Sequence, residues 1–255
     1  IYTDELFNSL KDMSNNIREL NYKLRSINYE LAKLGVNSGP LDYQIILNRE
    51  FIRNNLNNII YGQAVVEGIA ATFLDTKEII ENGKSNNVSF DDTLKILNLK
   101  NAWSYVLDED TIRRGISFSV LSDIVRLIND RLTSYGEQIR STDVFINGSS
   151  YRPPLPNRND IEYNIKNITS NNNDEIVNNA IELLLYISKA QIFYDGNKRI
   201  AVIFANFYLL LNHQGFIYIP SKLDTKYKNL LVEYYEGKNN KVKKLILNEC
   251  YFPLR

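Results

Sequence analysis

An acid, a glycine, an asparagine and two cations stand in a row at Asp195-Gly196-Asn197-Lys198-Arg199, directly before a long apolar run. Cations in the first turn of a helix oppose its dipole, so Lys198 and Arg199 are costly there unless an anion offsets them. Gly196 leaves the backbone free to aim amide hydrogens at that anion, and Asp195 could hold a divalent metal bridging two phosphate oxygens. These residue types at this spacing allow the binding of a nucleotide phosphate or another polyanion. A plain turn followed by a solvated Lys-Arg face accounts for the same residues.

Two apolar runs must position this turn. Ile181–Ile187 precedes it, rich in Leu, and Ile200–Leu211 follows it, with Leu and Ala, and they predict buried helices over 174–190 and 197–214 at the centre of the fold. Further helices are expected over 42–67, over 76–106 with a break at 82–89, over 119–134, near 161–168, and over 227–247 with an interruption at Gly237. Val144-Phe145-Ile146 followed by Asn147-Gly148 predicts a small hairpin, because Asn-Gly supplies the positive φ angles of a tight turn. Residues 216–220 read as a short extended link. The lone Trp103 is expected to fill core. His213 is the only histidine; it lies about 20 Å along a helix from the turn, too far to act there.

Residues 6–34 carry Leu, Met and Ile at alternating spacings of four and three, a heptad seam of about four heptads. It serves either one arm of an antiparallel helical hairpin completed by 42–67 or a homodimer interface. The reading is mainly α: a helical extension over 1–61, then a helical domain with one hairpin over 62–255.

Positive and negative side chains balance at 30 each, so overall charge recruits neither nucleic acid nor an anionic membrane, and any phosphate site must be local. No apolar run reaches the roughly 18 residues of a membrane span, since even 200–211 is broken by Asn206. Residues 1–15 are polar and amphipathic, without the pattern of a secretory leader. The single cysteine, Cys250, excludes an internal disulfide and fits a reducing, cytoplasmic compartment.

The turn resembles the signature of the Fic/Doc family, His-Pro-Phe-x-(Asp/Glu)-Gly-Asn-(Gly/Lys)-Arg, matched here at Phe193, Asp195, Gly196, Asn197, Lys198 and Arg199. Ile192 replaces a proline that varies, and Gln191 stands where the family carries its catalytic His. The resemblance implies a Fic-type helical bundle and transfer of AMP from ATP to a Ser, Thr or Tyr hydroxyl of a target protein. It implies that Asp195 holds Mg²⁺, that Gly196 and Asn197 line an anion hole with Lys198 beside them, that Arg199 binds phosphate, and that Phe193 anchors the turn. It also makes the Val144–Gly148 hairpin a flap that docks the target as an added strand. Glu67-Gly68 resembles the end of the family's inhibitory helix, with Gln63 in place of its hydroxyl residue. The second arginine with which that glutamate pairs is Val202 here.

A carboxamide does not ionise in the working pH range, so Gln191 cannot be a general base. The resemblance then implies an AMP-transfer protein weakened or silenced at Gln191. A non-catalytic nucleotide-binding or protein-interaction descendant is the alternative, and a Doc-like kinase, suggested by Lys198, is the third.

Overall fold

The apolar runs flanking the Asp195 turn fold as the two helices packed most closely on one another, Ile176–Ala190 and Asn197–Leu211. The computed structural model describes residues 41–170 and 175–254, with ten isolated positions between 9 and 27. Those ten are helical and exposed, Met13, Ile17, Leu20 and Ile27 among them. The rest of the heptad seam of 6–34, with the dimer contact and the first arm of the expected helical hairpin, lies outside the described residues. The chain divides into two compact units, 1–47 and 48–255.

In chain order the described helices are α1 Tyr43–Val66, α2 Phe73–Asn82, α3 Phe90–Val106, α4 Glu109–Arg114, α5 Phe118–Ile128, α6 Arg158–Thr169, α7 Ile176–Ala190, α8 Asn197–Leu211, α9 Asp224–Tyr235 and α10 Lys241–Leu245. Two-residue strands β1, Phe216–Ile217, and β2, Tyr251–Phe252, complete a mainly helical fold. No helix among the described residues is long and apolar enough to cross a membrane.

Local chemistry sets the helix starts. Thr72, Ser89, Asp108, Ser117 and Asn157 each stand one residue before a helix and accept a backbone N–H of its first turn. A cap of this kind contributes about 0.5–2 kcal/mol. At Thr72 the arrangement is reciprocal, since its own N–H donates to Asp75 Oδ2 at 3.0 Å. Hydrogen bonds from Thr72, then from Asn87 and Ser85, hold the Asp75 carboxyl well below the usual carboxylate range.

Tertiary burial does the rest. From Ile200 to Leu210 every side chain of α8 is buried, as expected of a helix apolar on all faces and enclosed by others. Its one polar interior residue, Asn206, donates to the carbonyls of Val202 at 2.8 Å and Ile217 at 2.7 Å, and accepts the Ile217 N–H at 2.7 Å. That side chain pins β1 to α8 and leaves no buried polar atom of its own unsatisfied. Asn48 on α1 donates to the carbonyls of Leu209 and Gly215, tying α1 to the other end of α8.

Three local expectations change. The helix expected over 119–134 is α5 and stops at Ile128, because Asn129 turns its side chain away to the carbonyls of Gly136 and Asp195. The turn at Asn147-Gly148 forms, closed by Ser149 N–H to Ile146 O at 3.1 Å, but Val144-Phe145-Ile146 carries no strand ladder among the described residues. The returning segment contains Pro153 and Pro154, which have no N–H to donate, and the Ser150 N–H is already bonded to Glu236. The antiparallel pair lies elsewhere: Phe216 faces Phe252 and Ile217 faces Tyr251, so the segment 216–220, expected as a link, begins as a strand.

Candidate active site

At the end of α7 the backbone reverses hand. Gln191 adopts φ 46° and ψ 57°, a left-handed conformation that L residues other than glycine enter at a cost of about 1–2 kcal/mol. Its side chain helps hold it there, since Nε2 donates to Ser188 O at 2.7 Å and Oε1 accepts from Asn197 Nδ2 at 3.3 Å. Ile192 and Phe193 then drive the turn into the core, both fully buried. Asn197 accepts the Phe193 N–H at 3.0 Å and donates to Phe193 O at 2.7 Å, so its amide closes the turn instead of facing a ligand.

The far side of the turn opens α8. Gly196 is the residue before the helix at φ 79°, and a Cβ there would meet Ile128 Cγ2 at 2.8 Å and Asn129 Oδ1 at 3.2 Å. Backbone conformation and crowding both require glycine. No side chain caps α8, so its first amide hydrogens are left for another acceptor. Asp195 is 55% exposed; its Oδ1 accepts the Gly196 N–H at 2.7 Å and its Oδ2 meets Arg199 Nη2 at 3.2 Å.

Arg199 is only 3% exposed, and its Nε and Nη1 have no hydrogen-bond partner. Opposite it stands Glu67, just beyond the end of α1, where Gly68 at φ 74° turns the chain away. Glu67 Oε2 lies 3.6 Å from Arg199 Nε and Oε1 lies 3.8 Å from Lys198 Nζ, both outside hydrogen-bond distance. The carboxylate therefore balances two cations by charge without satisfying their donors. Val202 lines a void of about 10 Å³ beside Glu67 and Arg199 and offers no charge of its own.

Gln63 stands one helical turn before Glu67, whose N–H bonds its carbonyl at 3.1 Å. Gln63 Nε2 donates to Arg199 O at 3.1 Å and its Oε1 accepts the indole N–H of the fully buried Trp103 at 2.7 Å. Trp103 fills core as expected and also joins α3 to the site. Replacing Gln63 by Leu strands the buried indole donor, a loss of about 1–3 kcal/mol. The expected result is a lower thermal midpoint followed by far-ultraviolet circular dichroism, and an unchanged midpoint would refute the bridge.

A cleft of about 450 Å³ collects Glu67, Gly68, Phe145, Ile146, Asn147, Gln191 and Lys198 on one wall set. Seven positions singled out from separated stretches of sequence thus share one space, with Asp195, Gly196 and Arg199 in the adjoining turn. Val144 and Gly148 do not line it. The opposite wall is α9, through Lys228, Leu231, Val232 and Tyr235. That wall went unread in the sequence because an amphipathic helix carries no local mark of what it faces. His213 sits past the other end of α8, at φ 56°, away from this cleft.

Arg140 is the other residue that sequence reading passed over. It is 1% exposed and donates only to main-chain carbonyls: Nε to Gln191 O, Nη1 to Thr142 O at 2.9 Å, and Nη2 to Pro153 O at 3.1 Å, to Pro154 O at 2.5 Å and to Ala190 O at 3.4 Å. Its own N–H bonds Ile192 O at 3.1 Å. Burial pushes the guanidinium pKa down, and the charge of Asp143 opposes that.

A family model described as Fic/DOC family matches residues 117–209, which run from the start of α5 nearly to the end of α8. Three solved structures share the fold. Fic-1 (residues 134–508) from C. elegans is 15% identical, with a TM-score of 0.62 over 94% of this chain and 70% of that one. A Fic domain containing signaling protein from Bacteroides thetaiotaomicron is 20% identical, TM-score 0.58, over 85% and 80%. A Fic family protein from Desulfovibrio desulfuricans is 16% identical, TM-score 0.58, over 91% and 70%. No curated protein matches the sequence.

Proposed function

From the match of residues 117–209 to the Fic/DOC family model we propose that the chain is a member of that family and that its cleft binds ATP with Mg²⁺ as an AMP-transfer protein weakened at Gln191. One observation carries the reading. Arg199 is buried at the uncapped start of α8 with two donor nitrogens unpartnered, beside Lys198, and only the Glu67 carboxylate faces them. Asp195 satisfies only Arg199 Nη2, at 3.2 Å, and the two cations with the uncapped helix start suit a phosphate better than the Glu67 carboxylate held beyond hydrogen-bond distance.

The donor set fits Mg²⁺ held partly by the nucleotide. Among the described residues no group of three metal-ligating side chains exists, while Asp195 offers one exposed carboxylate. Mg²⁺ commonly takes one or two carboxylates and completes its shell with phosphate oxygens and water. When bound it would offset phosphate charge. Lys198 and Arg199 would then orient the phosphates, and the turn at Phe145–Asn147 would present a target protein's Ser, Thr or Tyr hydroxyl across the cleft.

Gln191 supplies no base, and its amide is engaged with Ser188 O and Asn197. That engagement favours a second reading, nucleotide-controlled protein binding without transfer. Calorimetry tests what both readings share. Mg²⁺-dependent ATP binding is expected, with Asp195→Ala weakening it by about tenfold, worth 1.4 kcal/mol. Absence of binding both in the native chain and in Glu67→Ala would overturn the site.

A further inference from the structure

Nothing in the proposed chemistry accounts for a guanidinium buried without a carboxylate bonded to it. A charge taken out of water is costly unless its donors are satisfied, and Arg140 achieves this entirely with carbonyls. Those carbonyls come from three places that are otherwise separate. Thr142 is one foot of the segment carrying Phe145–Asn147, Pro153 and Pro154 are the other foot, and Ala190 and Gln191 are the junction of α7 with the signature turn.

We propose that Arg140 is a positioning residue that locks the feet of the 143–152 segment to the Gln191 junction, so that these two parts of the cleft lining move as one unit. The carbonyl of Gln191, which Arg140 holds, belongs to the residue in the left-handed conformation, so the same side chain also secures the strained point. A strand-like target lying against Phe145–Asn147 would then be held in fixed register to position 191; this consequence rests on the function proposed above. The outer end of the segment has a separate anchor. Glu236, at the end of α9, accepts the Ser150 N–H at 2.7 Å and the hydroxyls of Ser149 and Ser150. Lys238 and these donors lower its pKa to about 2.

Amide hydrogen exchange tests the lock without any ligand. In Arg140→Lys, which keeps the charge but cannot fork between the feet and the junction, exchange is expected to quicken by about tenfold or more at 141–152 and at 190–194 together. Helices α3 and α5 are expected to keep native protection. Glu236→Gln serves as the comparison: it is expected to quicken 149–151 and leave 190–194 unchanged. Quickening of only one of the two segments in Arg140→Lys, or equal quickening across α3 and α5, overturns the proposal. So does release of 190–194 by Glu236→Gln. Because no nucleotide is used, failure of ATP binding would remove the proposed function and leave this result standing.

Discussion

Glu67→Ala is expected to tighten Mg²⁺-dependent ATP binding by about tenfold or more while lowering the thermal midpoint of the ligand-free protein. The two effects share a cause. At an effective dielectric of 20, unit charges 4 Å apart interact by about 4 kcal/mol, and Glu67 faces two cations at 3.6 and 3.8 Å. Exposure of Lys198 at 38% and of Glu67 at 17% screens part of that, so about 1.4 kcal/mol, one decade in affinity, is a modest expectation. In the free protein the same truncation leaves Arg199 buried and less compensated, which destabilises it. Saturating ATP should then raise the midpoint of the variant more than that of the native chain, because stabilisation by a ligand grows as its dissociation constant falls. Equal affinities in the two proteins would show that Glu67 does not compete for the anion site.

Placing His at position 191 in the Glu67→Ala background is expected to raise transfer of label from α-labelled ATP by about 10²–10⁴, the range a positioned general base contributes. The rate should climb as pH rises through about 6.5, where imidazole loses its proton, and flatten above it. Native Gln191 has no such titration, so any residual transfer should lack that limb. The comparison with γ-labelled ATP separates the chemistries: label from the γ position alone would mark a kinase. A variant that binds Mg²⁺ and ATP yet transfers neither label would move the protein to the binding-only reading.

Much of this site was legible because its parts are local. The polar turn between two apolar runs announces α7 and α8, since eleven consecutive buried positions in α8 leave little freedom for another fold. Glu67-Gly68 is marked by its resemblance to the end of an inhibitory helix, and the structure brings Glu67 to Lys198 and Arg199. What escaped depends on partners distant in sequence that carry no type preference. Arg140 bonds carbonyls, which every residue offers, so nothing in its neighbourhood marks it. Asn129 ends α5 because a carbonyl at Asp195 is within reach, a relation no period reveals. The expected ladder at 144–146 failed on the return arm, where two prolines withhold donors. Strands β1 and β2 are too short for alternation to register.

Trp103 is the chain's only tryptophan, fully buried, and its indole N–H ends a two-bond path through Gln63 to the carbonyl of Arg199. Indole emission responds to the field and hydrogen bonding around the ring, so the molecule carries its own optical gauge. An anion that displaced Glu67 and shifted α1 against α8 would move the Gln63 amide, and the colour of the emitted light would follow. Occupancy of the site would then be readable in an unlabelled sample, with no dye attached and no residue changed.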